Sequence, residues 1–253
     1  MTTLQLIPVP DIPIIEPGAD LAHIIVEAMD RHHLQFVAGD ILLLAQKIIS
    51  KAENCFVDLR SVTPSAKALE VAQITQKDPR EVEVILWDTA EIVRCRPGLL
   101  IVAHRHGYIS ANAGMDHSNV VADDEVVLRL PADPDASAAR LRDELAELTG
   151  SRPPVLIIDS HGRPWRNGVT GVAIGLAGLK PVQDLRGQPD LFDRLLRHTE
   201  VNLADQLAGA ASLVMGQAAE GQPVVIARGV AYEADEMAKA SDILRPKERD
   251  LFR

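Results

Sequence analysis

The sequence predicts a mixed α/β fold, because short apolar runs typical of buried strands alternate with segments of helical periodicity. Of the 253 residues, 47% are hydrophobic but only 3% are aromatic, so the core has to be built from aliphatic side chains. This apolar content is sufficient for one large domain or two small ones.

The first elements are a strand, a helix and a second strand. Segment 4–10 is predicted as an edge strand, because its prolines limit further pairing, and a loop follows at 11–18. Segment 20–29 places its apolar residues on one helical face, with Asp20 near the N-cap. Segment 41–45 is a short apolar run that indicates a buried strand.

Two helices and a hairpin are predicted next. Segments 63–72 and 78–87 each begin with a capping residue followed by proline, and in the first of them Thr63 is the predicted cap. Segments 91–94 and 99–103 flank a Pro-Gly pair, which predicts a hairpin between two strands.

The second half of the chain continues the alternation. Segment 135–148 has the clearest helical pattern and is ended by Gly150, a favoured residue just past a helix. The remaining predicted elements are the strands 126–131, 154–158 and 223–227 and the alanine-rich helix 202–215.

Charge and cysteine content exclude several classes of protein. The net charge of −10 argues against nucleic-acid binding as a main role, because phosphate backbones require a basic surface. No apolar run reaches the length of a membrane span. Cys55 and Cys95 show neither metal-type nor redox-type spacing, and no secretory segment precedes them, so we expect a reduced, cytoplasmic protein.

The stretch 106–120 carries the first set of candidate ligands. It follows the apolar run 99–103 and turns to small residues before Asp116, Ser118 and Asn119. A carboxylate, a hydroxyl and an amide within four positions suit a hard cation such as Mg²⁺ or Mn²⁺. The alternative is an Asx-type turn in which Asp116 and Asn119 only cap a loop.

A second acidic position follows the predicted strand 154–158, which delivers Asp159 and Ser160 at its carboxyl end. A carboxylate in that place is a common metal ligand, although a turn residue that caps backbone amides is the alternative. Arg163 and Arg166 then offer planar donor groups suited to phosphate or carboxylate.

Two lysines follow the predicted strand 41–45. Lys47 and Lys51 are four positions apart, so a helical turn would place both ammonium groups on one face. Because open α/β sheets bind ligands at the carboxyl ends of their strands, the pair predicts a phosphate site. The alternative is a solvated pair in which Lys51 is bridged to Glu53.

Three further patterns have weaker functional signals. His104 and His106 would share a strand face, but no third ligand lies nearby, which favours ordinary histidines over a metal pair. The glycines of 168–178 fit neither a P-loop nor a dinucleotide motif and predict close packing, within the chain or at a subunit contact. The glycine-bounded loop 216–221 either wraps a base or phosphate or is a plain connection.

Several of these motifs together resemble the coenzyme F420:L-glutamate ligase family. The resemblance rests on 39–53, 106–120 and 159–166, which occur in the family's order, and it extends over nearly the whole chain, from 6–10 to 250–253. It implies a single ligase domain, 1–253, with an unusual α/β fold that forms an intertwined homodimer, its active site near the interface.

The resemblance also implies a reaction. GTP would phosphorylate the terminal carboxylate of the phospholactyl tail of F420 lacking glutamate. The amino group of L-glutamate would then displace phosphate from the acyl phosphate, leaving GDP and inorganic phosphate. The number of glutamates added is left open. An acid kinase whose product is the acyl phosphate and a non-catalytic nucleotide-binding homologue are the alternatives.

Residue roles follow from position in the family pattern. Asp116 and Asp159 would hold one divalent ion, Mg²⁺ or Mn²⁺, and with Lys51 they are the expected catalytic residues. Ser160 and Gln217 fall where the family places ligands of a second ion, and K⁺ is a further candidate cation. Gln217 departs from the pattern, because a carboxylate there would bind a cation more strongly than an amide.

The expected nucleotide contacts come from four parts of the chain. Pro13 would hold the first of them rigid, although an ordinary turn proline explains it equally well. The residues are Ile12, Pro13, Ile14, Ile15, Gln46, Lys47, Lys51, Asn119, Met215, Gly216, Gln217, Ala218, Ala219, Glu220, Gly221 and Gln222.

Overall fold

Strands and helices are interspersed in the computed structural model, which describes residues 3–250. The predicted mixed α/β class is therefore confirmed. The strands are β1 (Gln5–Pro8), β2 (Ile41–Ala45), β3 (Phe56–Asp58), β4 (Thr89–Arg96), β5 (Leu99–His104), β6 (Ile109–Ala111), β7 (Val126–Leu128), β8 (Val155–Arg163), β9 (Arg166–Ala177), β10 (Val182–Asp184), β11 (Glu200–Asn202) and β12 (Val224–Arg228). The α-helices are α1 (Leu21–Arg31), α2 (Gln46–Ala52), α3 (Ala66–Thr75), α4 (Pro79–Trp87), α5 (Pro134–Thr149) and α6 (Leu203–Met215).

Within residues 3–250, the largest sheet has five strands in the order β1, β12, β2, β8 and β9, so the predicted edge position of β1 is confirmed. The pair β2 and β8 is parallel, and the other neighbours are antiparallel. Leu42 and Leu44 of β2 pack with α1 and α5, whereas Ile41 and Leu43 pack with α6. Because both of its faces are covered, β2 is buried along Ile41–Leu44, which explains its continuous apolar run.

A second layer lies beside the central sheet. Strands β4, β5 and β6 form an antiparallel sheet, and the predicted hairpin between β4 and β5 is confirmed. Helices α3 and α4 supply Val71, Val82 and Ile85 to an aliphatic cluster with Leu100 and Val102 of β5. The remaining sheets are the pairs β3 with β7 and β10 with β11.

The predicted helix 63–72 and strand 126–131 have other bounds in the structure. Helix 63–72 instead begins at Ala66, because the Ser65 hydroxyl accepts a hydrogen bond from the backbone N–H of Ala68 and acts as the cap. Thr63 is therefore not the cap. Strand 126–131 ends at Leu128, as β7.

Strand 154–158 is also longer than predicted, and this changes the setting of the second acidic position. β8 continues to Arg163 because β9 pairs with it along its whole length, with Asp159 opposite Val172 and Ser160 opposite Gly171. Asp159 therefore lies inside a strand. The parallel neighbour β2 ends at Ala45, opposite Ile158, so Asp159 still lies just beyond the carboxyl end of a buried strand.

The glycines of β9 permit close packing within the chain. A Cβ on Gly171 would lie 2.3 Å from the carbonyl oxygen of Ala208 in α6. A Cβ on Gly175 would lie 2.6 Å from the carbonyl carbon of Pro134 in α5. Two glycines of the 168–178 segment thus let helices approach β9 on both faces, as close packing predicts.

Two predictions from composition can be compared with the fold. Cys55 and Cys95 are both free. Among the helices of residues 3–250, none combines the length and the apolar character needed to cross a membrane.

Candidate active site

A cavity of about 960 Å³ opens where β2 ends and α2 begins. Segments 12–15 and 215–223 contribute to its lining, together with residues 118–122 and the strand residues 158–160. Every residue expected to contact nucleotide or metal lines this one cavity: Ile12, Pro13, Ile14, Ile15, Gln46, Lys47, Lys51, Asp116, Asn119, Asp159, Ser160, Met215, Gly216, Gln217, Ala218, Ala219, Glu220, Gly221 and Gln222.

Gln46 fixes one side of the cavity. It is the first residue of α2 and is buried, because β2 passes through the core immediately before it. The Ser50 hydroxyl, one helical turn later, donates to Gln46 Oε1 at 2.8 Å. The bond from Ser50 orients the Gln46 amide. Its Nε2 group donates to Oδ2 of Asp116 at 2.6 Å.

Asp116 is held in the cavity by both its backbone and its carboxylate. Its N–H and C=O each bond to Leu128 at 2.9 Å, while Oδ1 lies 3.3 Å from Nζ of Lys47. The carboxylate contacts the side chains of Gln46 and Lys47 and caps no backbone amide within residues 3–250, so the Asx-turn alternative does not apply to it. Burial and the nearby Asp159 carboxylate raise the pKa of Asp116 to about 6, against the lowering effect of Lys47.

Asp159 faces the same cavity from β8. Its Oδ2 lies 2.9 Å from Nε2 of His161, and only 12% and 9% of the two side chains are exposed. Its charge is close enough to that of Asp116 to raise the pKa of that residue. Two carboxylates brought together in this way repel each other unless a cation or a proton lies between them.

Lys51 is buried on the inner face of α2. Burial and the charge of Lys47 lower the pKa of its ammonium group. No hydrogen bond or ion pair reaches that group from any residue between 3 and 250, because Glu53 instead contacts Arg140 and the Ser137 hydroxyl. The alternative in which Lys51 is bridged to Glu53 is therefore wrong, and the ammonium group is available to an anion in the cavity.

The opening of the cavity is formed by two loops joined through one side chain. Asn119 adopts a left-handed conformation, with φ of 57°, and donates from Nδ2 to the carbonyl oxygen of Ala218 at 2.9 Å. Beyond it the carboxylate of Glu220 accepts from the N–H of Ala218 at 2.7 Å, and such backbone bonds lower the pKa of Glu220. Ile14, which is 88% exposed, adds an apolar surface to the opening.

Some residues singled out in the sequence lie away from the cavity lining. Arg163 and Arg166 lie at the turn between β8 and β9. His104 is stacked on His106 with ring centroids 4.8 Å apart, and burial lowers the pKa of His104 to about 4. Residues 3–250 contain no group of three or more His, Cys, Asp and Glu residues that could hold a metal.

His161, which contacts Asp159, was not predicted from the sequence as a site residue. The signal was present, because residues two apart on a strand point to the same face. Because the strand was predicted to end at 158, there was no reason to place the side chains of Asp159 and His161 on the same face.

The oxygen atoms in the cavity suit a divalent cation. Asp116, Asp159, Ser160 and Gln217 all line it, and each offers oxygen. Burial and repulsion from Asp159 raise the pKa of Asp116, and a cation would relieve the repulsion. Two carboxylates are sufficient for Mg²⁺, which usually keeps several waters and takes further ligands from substrate phosphates.

Comparison with known proteins identifies the family. Residues 11–229 match the model of the F420-0:gamma-glutamyl ligase family. The chain belongs to this family. Membership of this ligase family confirms the resemblance found in the sequence, and the matched residues include all segments that line the cavity.

Individual members of the ligase family are similar over most of their length. The coenzyme F420:L-glutamate ligase of Methanothermobacter thermautotrophicus is 44% identical over 253 residues, which cover 99% of each chain. The ligase of that name from Methanopyrus kandleri is 45% identical over 256 residues, 100% of this chain and 99% of its own. The one from Methanocaldococcus jannaschii is 45% identical over 215 residues, 85% of each chain.

Proposed function

We propose that this protein joins L-glutamate to F420-0 in a reaction driven by GTP. The observation that carries the proposal is the cavity at the carboxyl end of β2, which two carboxylates and two lysines line in a chain of this ligase family. The relatives are named coenzyme F420:L-glutamate ligases, which supplies the two substrates.

The proposed reaction has two steps. An oxygen of the F420-0 carboxylate attacks the γ-phosphorus of GTP, and the bond between that phosphorus and the bridging oxygen breaks, giving an acyl phosphate and GDP. The amino nitrogen of L-glutamate then attacks the acyl carbon. A C–N bond forms, inorganic phosphate leaves with the C–O electron pair, and the nitrogen loses a proton. Phosphorylation is needed because an unactivated carboxylate has no adequate leaving group.

The lysines supply charge neutralisation. Catalysis of phosphoryl transfer consists mostly of positioning and electrostatic stabilisation. Lys51 is buried without an anionic partner among residues 3–250, and Lys47 extends to Asp116 and to Ser118 at the same cavity. We assign Lys51 to a nucleotide phosphate, because a phosphate would supply the charge that this buried ammonium group otherwise lacks.

Asp116 and Asp159 would hold Mg²⁺ or Mn²⁺ between them. Such an ion neutralises phosphate charge and keeps both carboxylates ionised. Ser160 and Gln217 also line the cavity and would complete a second site, where the amide of Gln217 favours weak binding or K⁺ over a strongly bound divalent ion.

The nucleotide would lie between two walls of the cavity. Residues 12–15 form one wall and residues 215–222 the other, and Asn119 joins the second wall to the 116–122 loop through Ala218. Pro13 limits the conformations of the first wall. The exposed apolar side chain of Ile14 provides a surface for a flat base.

We further propose that the active protein is an intertwined homodimer. Support comes from large apolar side chains that are exposed in the β8–β9 and β10–β11 regions of the single chain. Leu191 and Phe192 are 99% and 77% exposed, and Val169, which also lines the cavity, is 54% exposed. Of these residues Val169 lies at the cavity itself, which fits an active site near a subunit interface.

Mass spectrometry of the coenzyme tests the proposed function. The protein is incubated with F420-0, GTP, L-glutamate and Mg²⁺ or Mn²⁺, and parallel reactions omit glutamate or replace GTP with ATP. The proposal predicts a product that is heavier by one or more glutamyl residues and appears only with glutamate. GDP release at an equal rate without glutamate would indicate an acid kinase, and no GTP turnover would indicate a non-catalytic homologue.

A further inference from the structure

We propose that His161 is a positioning residue, which holds the Asp159 carboxylate in the orientation that cation binding requires. The inference rests on the proposed function in one respect, because it takes Asp159 as a cation ligand. It concerns a residue that lies outside the cavity lining and acts through its contact with Asp159.

The geometry leaves one carboxylate oxygen free. His161 and Asp159 are two apart on β8, so their side chains lie on the same face of the strand. Nε2 of His161 engages Oδ2 of Asp159 at 2.9 Å. Oδ1 of Asp159 receives no hydrogen bond from residues 3–250 and belongs to a side chain that lines the cavity. The contact therefore restrains the carboxylate through Oδ2 and leaves Oδ1 without a hydrogen bond from residues 3–250.

The imidazole ring is itself restrained. Its centroid lies 5.8 Å from the ring of Tyr108, with an angle of 50° between the planes. Tyr108 in turn is stacked on His104 at 4.7 Å, and His104 on His106 at 4.8 Å. These three rings belong to the β5–β6 region, and together they form a ring wall that contacts His161 through Tyr108. A ring packed in this way delivers its N–H to Asp159 from a fixed direction.

Restraint of the Asp159 carboxylate should increase its affinity for a small divalent cation. Mg²⁺ demands near-ideal octahedral geometry, so a carboxylate free to rotate binds it less well. Partners that orient metal ligands are generally worth about 10–100-fold in metal affinity. A histidine that served only the core would instead change stability and leave cation affinity unaltered.

Mn²⁺ binding to the purified protein without substrates tests the role of His161. The free ion is followed by electron paramagnetic resonance in wild type, His161→Leu and His161→Gln, and Tyr108→Phe is the control because it keeps the ring wall. We expect His161→Leu to weaken Mn²⁺ binding about 10–100-fold. His161→Gln should recover most of the affinity, because its amide nitrogen lies near the position of Nε2, and Tyr108→Phe should match wild type.

The outcomes separate this inference from the proposed function. Unchanged affinity in His161→Leu, or an equal loss in the Leu and Gln variants, would overturn the positioning role. If wild type itself binds no Mn²⁺, with or without GTP, the proposed cation site fails and the inference fails with it. Melting curves in EDTA verify folding, and His161→Asn, which is polar but too short to reach Asp159, replaces the Leu variant if that does not fold.

In the full reaction, the same variants should differ in the Mn²⁺ concentration that gives half-maximal rate. His161→Leu should need a higher Mn²⁺ concentration for half-maximal rate but approach the wild-type rate at saturation. A rate that stays low at all Mn²⁺ concentrations would mean that His161 acts in some way other than on cation binding.

Discussion

The side-chain amide of Gln46 donates a hydrogen bond of 2.6 Å to Oδ2 of Asp116, which lies 70 positions later in the chain. Lys47, the next residue of α2, reaches the other carboxylate oxygen at 3.3 Å. The start of one short helix therefore fixes both oxygens of a residue in a distant loop. An aspartate held in this way is suited to a role that depends on its charge.

Replacement of either aspartate by asparagine tests that role. Asp116→Asn and Asp159→Asn should each cause a large fall in glutamyl transfer while the protein stays folded, because asparagine keeps most of the size but removes the charge. The double variant should be little worse than either single one, since both disable the same site. Rates measured over a range of Mg²⁺ concentrations decide this, and wild-type turnover in both single variants would exclude a shared cation.

The stability of the metal-free protein should depend on pH through Asp116. Its pKa is raised from 3.8 in the unfolded chain to about 6, so the folded state binds the extra proton between these values. The stabilising contribution of the neutral carboxyl is therefore lost as the pH rises through that window. In EDTA at pH 7.5, Asp116→Asn should melt several degrees above wild type, and the difference should shrink as the pH falls towards 4.

Addition of Mn²⁺ provides the control for this pH experiment. At pH 7.5 it should raise the melting temperature of wild type but not that of Asp116→Asn. A variant that melts below wild type in EDTA at pH 7.5 would contradict the raised pKa.

Lys51 can be tested separately from the aspartates. Lys51→Ala should raise the dissociation constant for GTP at least tenfold, because it removes the buried ammonium group assigned to a phosphate. Its folding should be retained, since the group has no partner within residues 3–250 to lose. Lys67→Ala, which removes an exposed lysine paired with Glu70, is the control and should leave GTP binding unchanged. Calorimetry that finds equal affinities for all three proteins would refute the assignment.

Light scattering tests the proposed assembly. The exposed side chains of Leu191 and Phe192 leave apolar surface that a partner chain would cover. We expect a homodimer at micromolar concentration, with twice the mass of one chain. A measured mass of 27.5 kDa would correspond to a monomer and would contradict the proposal.

Gly171 allows a sharp test of packing against α6. Gly171→Ala would place its Cβ 2.1 Å from the Ser212 hydroxyl and 2.3 Å from the Ala208 carbonyl oxygen, so it should lower the free energy of unfolding by about 1–3 kcal/mol. Gly162→Ala on the neighbouring strand is the matched control, because nothing lies within 4 Å of its Cβ. Denaturant unfolding of both variants measures the difference, and equal stability would show that α6 adjusts without cost.

The central strands could be predicted from sequence because they are buried on both faces. The continuous apolar runs 42–44 and 155–158 predict core strands, and all of these residues are buried. Residues 159–163 gave no such signal, because they are mostly polar and owe their strand conformation to backbone pairing with β9. The start of α3 was missed because Thr63 and Ser65 are both good caps, and only tertiary contacts select between them.

The candidate site was predictable as a set of residues but not as a set of contacts. Family resemblance named Asp116, Asp159 and Lys51, and the structure brings them into one cavity. The bond from Gln46 to Asp116 could not be foreseen, because it depends on how two distant segments meet. The contact between His161 and Asp159 required knowing that β8 continues past residue 158.

The position of β12 has a consequence for synthesis on the ribosome. β12 lies between β1 and β2, where Leu6 pairs with Ala227 and Leu44 with Val224, so the first two strands of the chain do not touch each other. A nascent chain that has reached α6 therefore still leaves β1 and one edge of β2 unpaired, and it lacks most of the 215–222 wall of the cavity. This sheet can close only after β12 has left the exit tunnel, so its unpaired strand edges are open to aggregation until residue 228 has emerged.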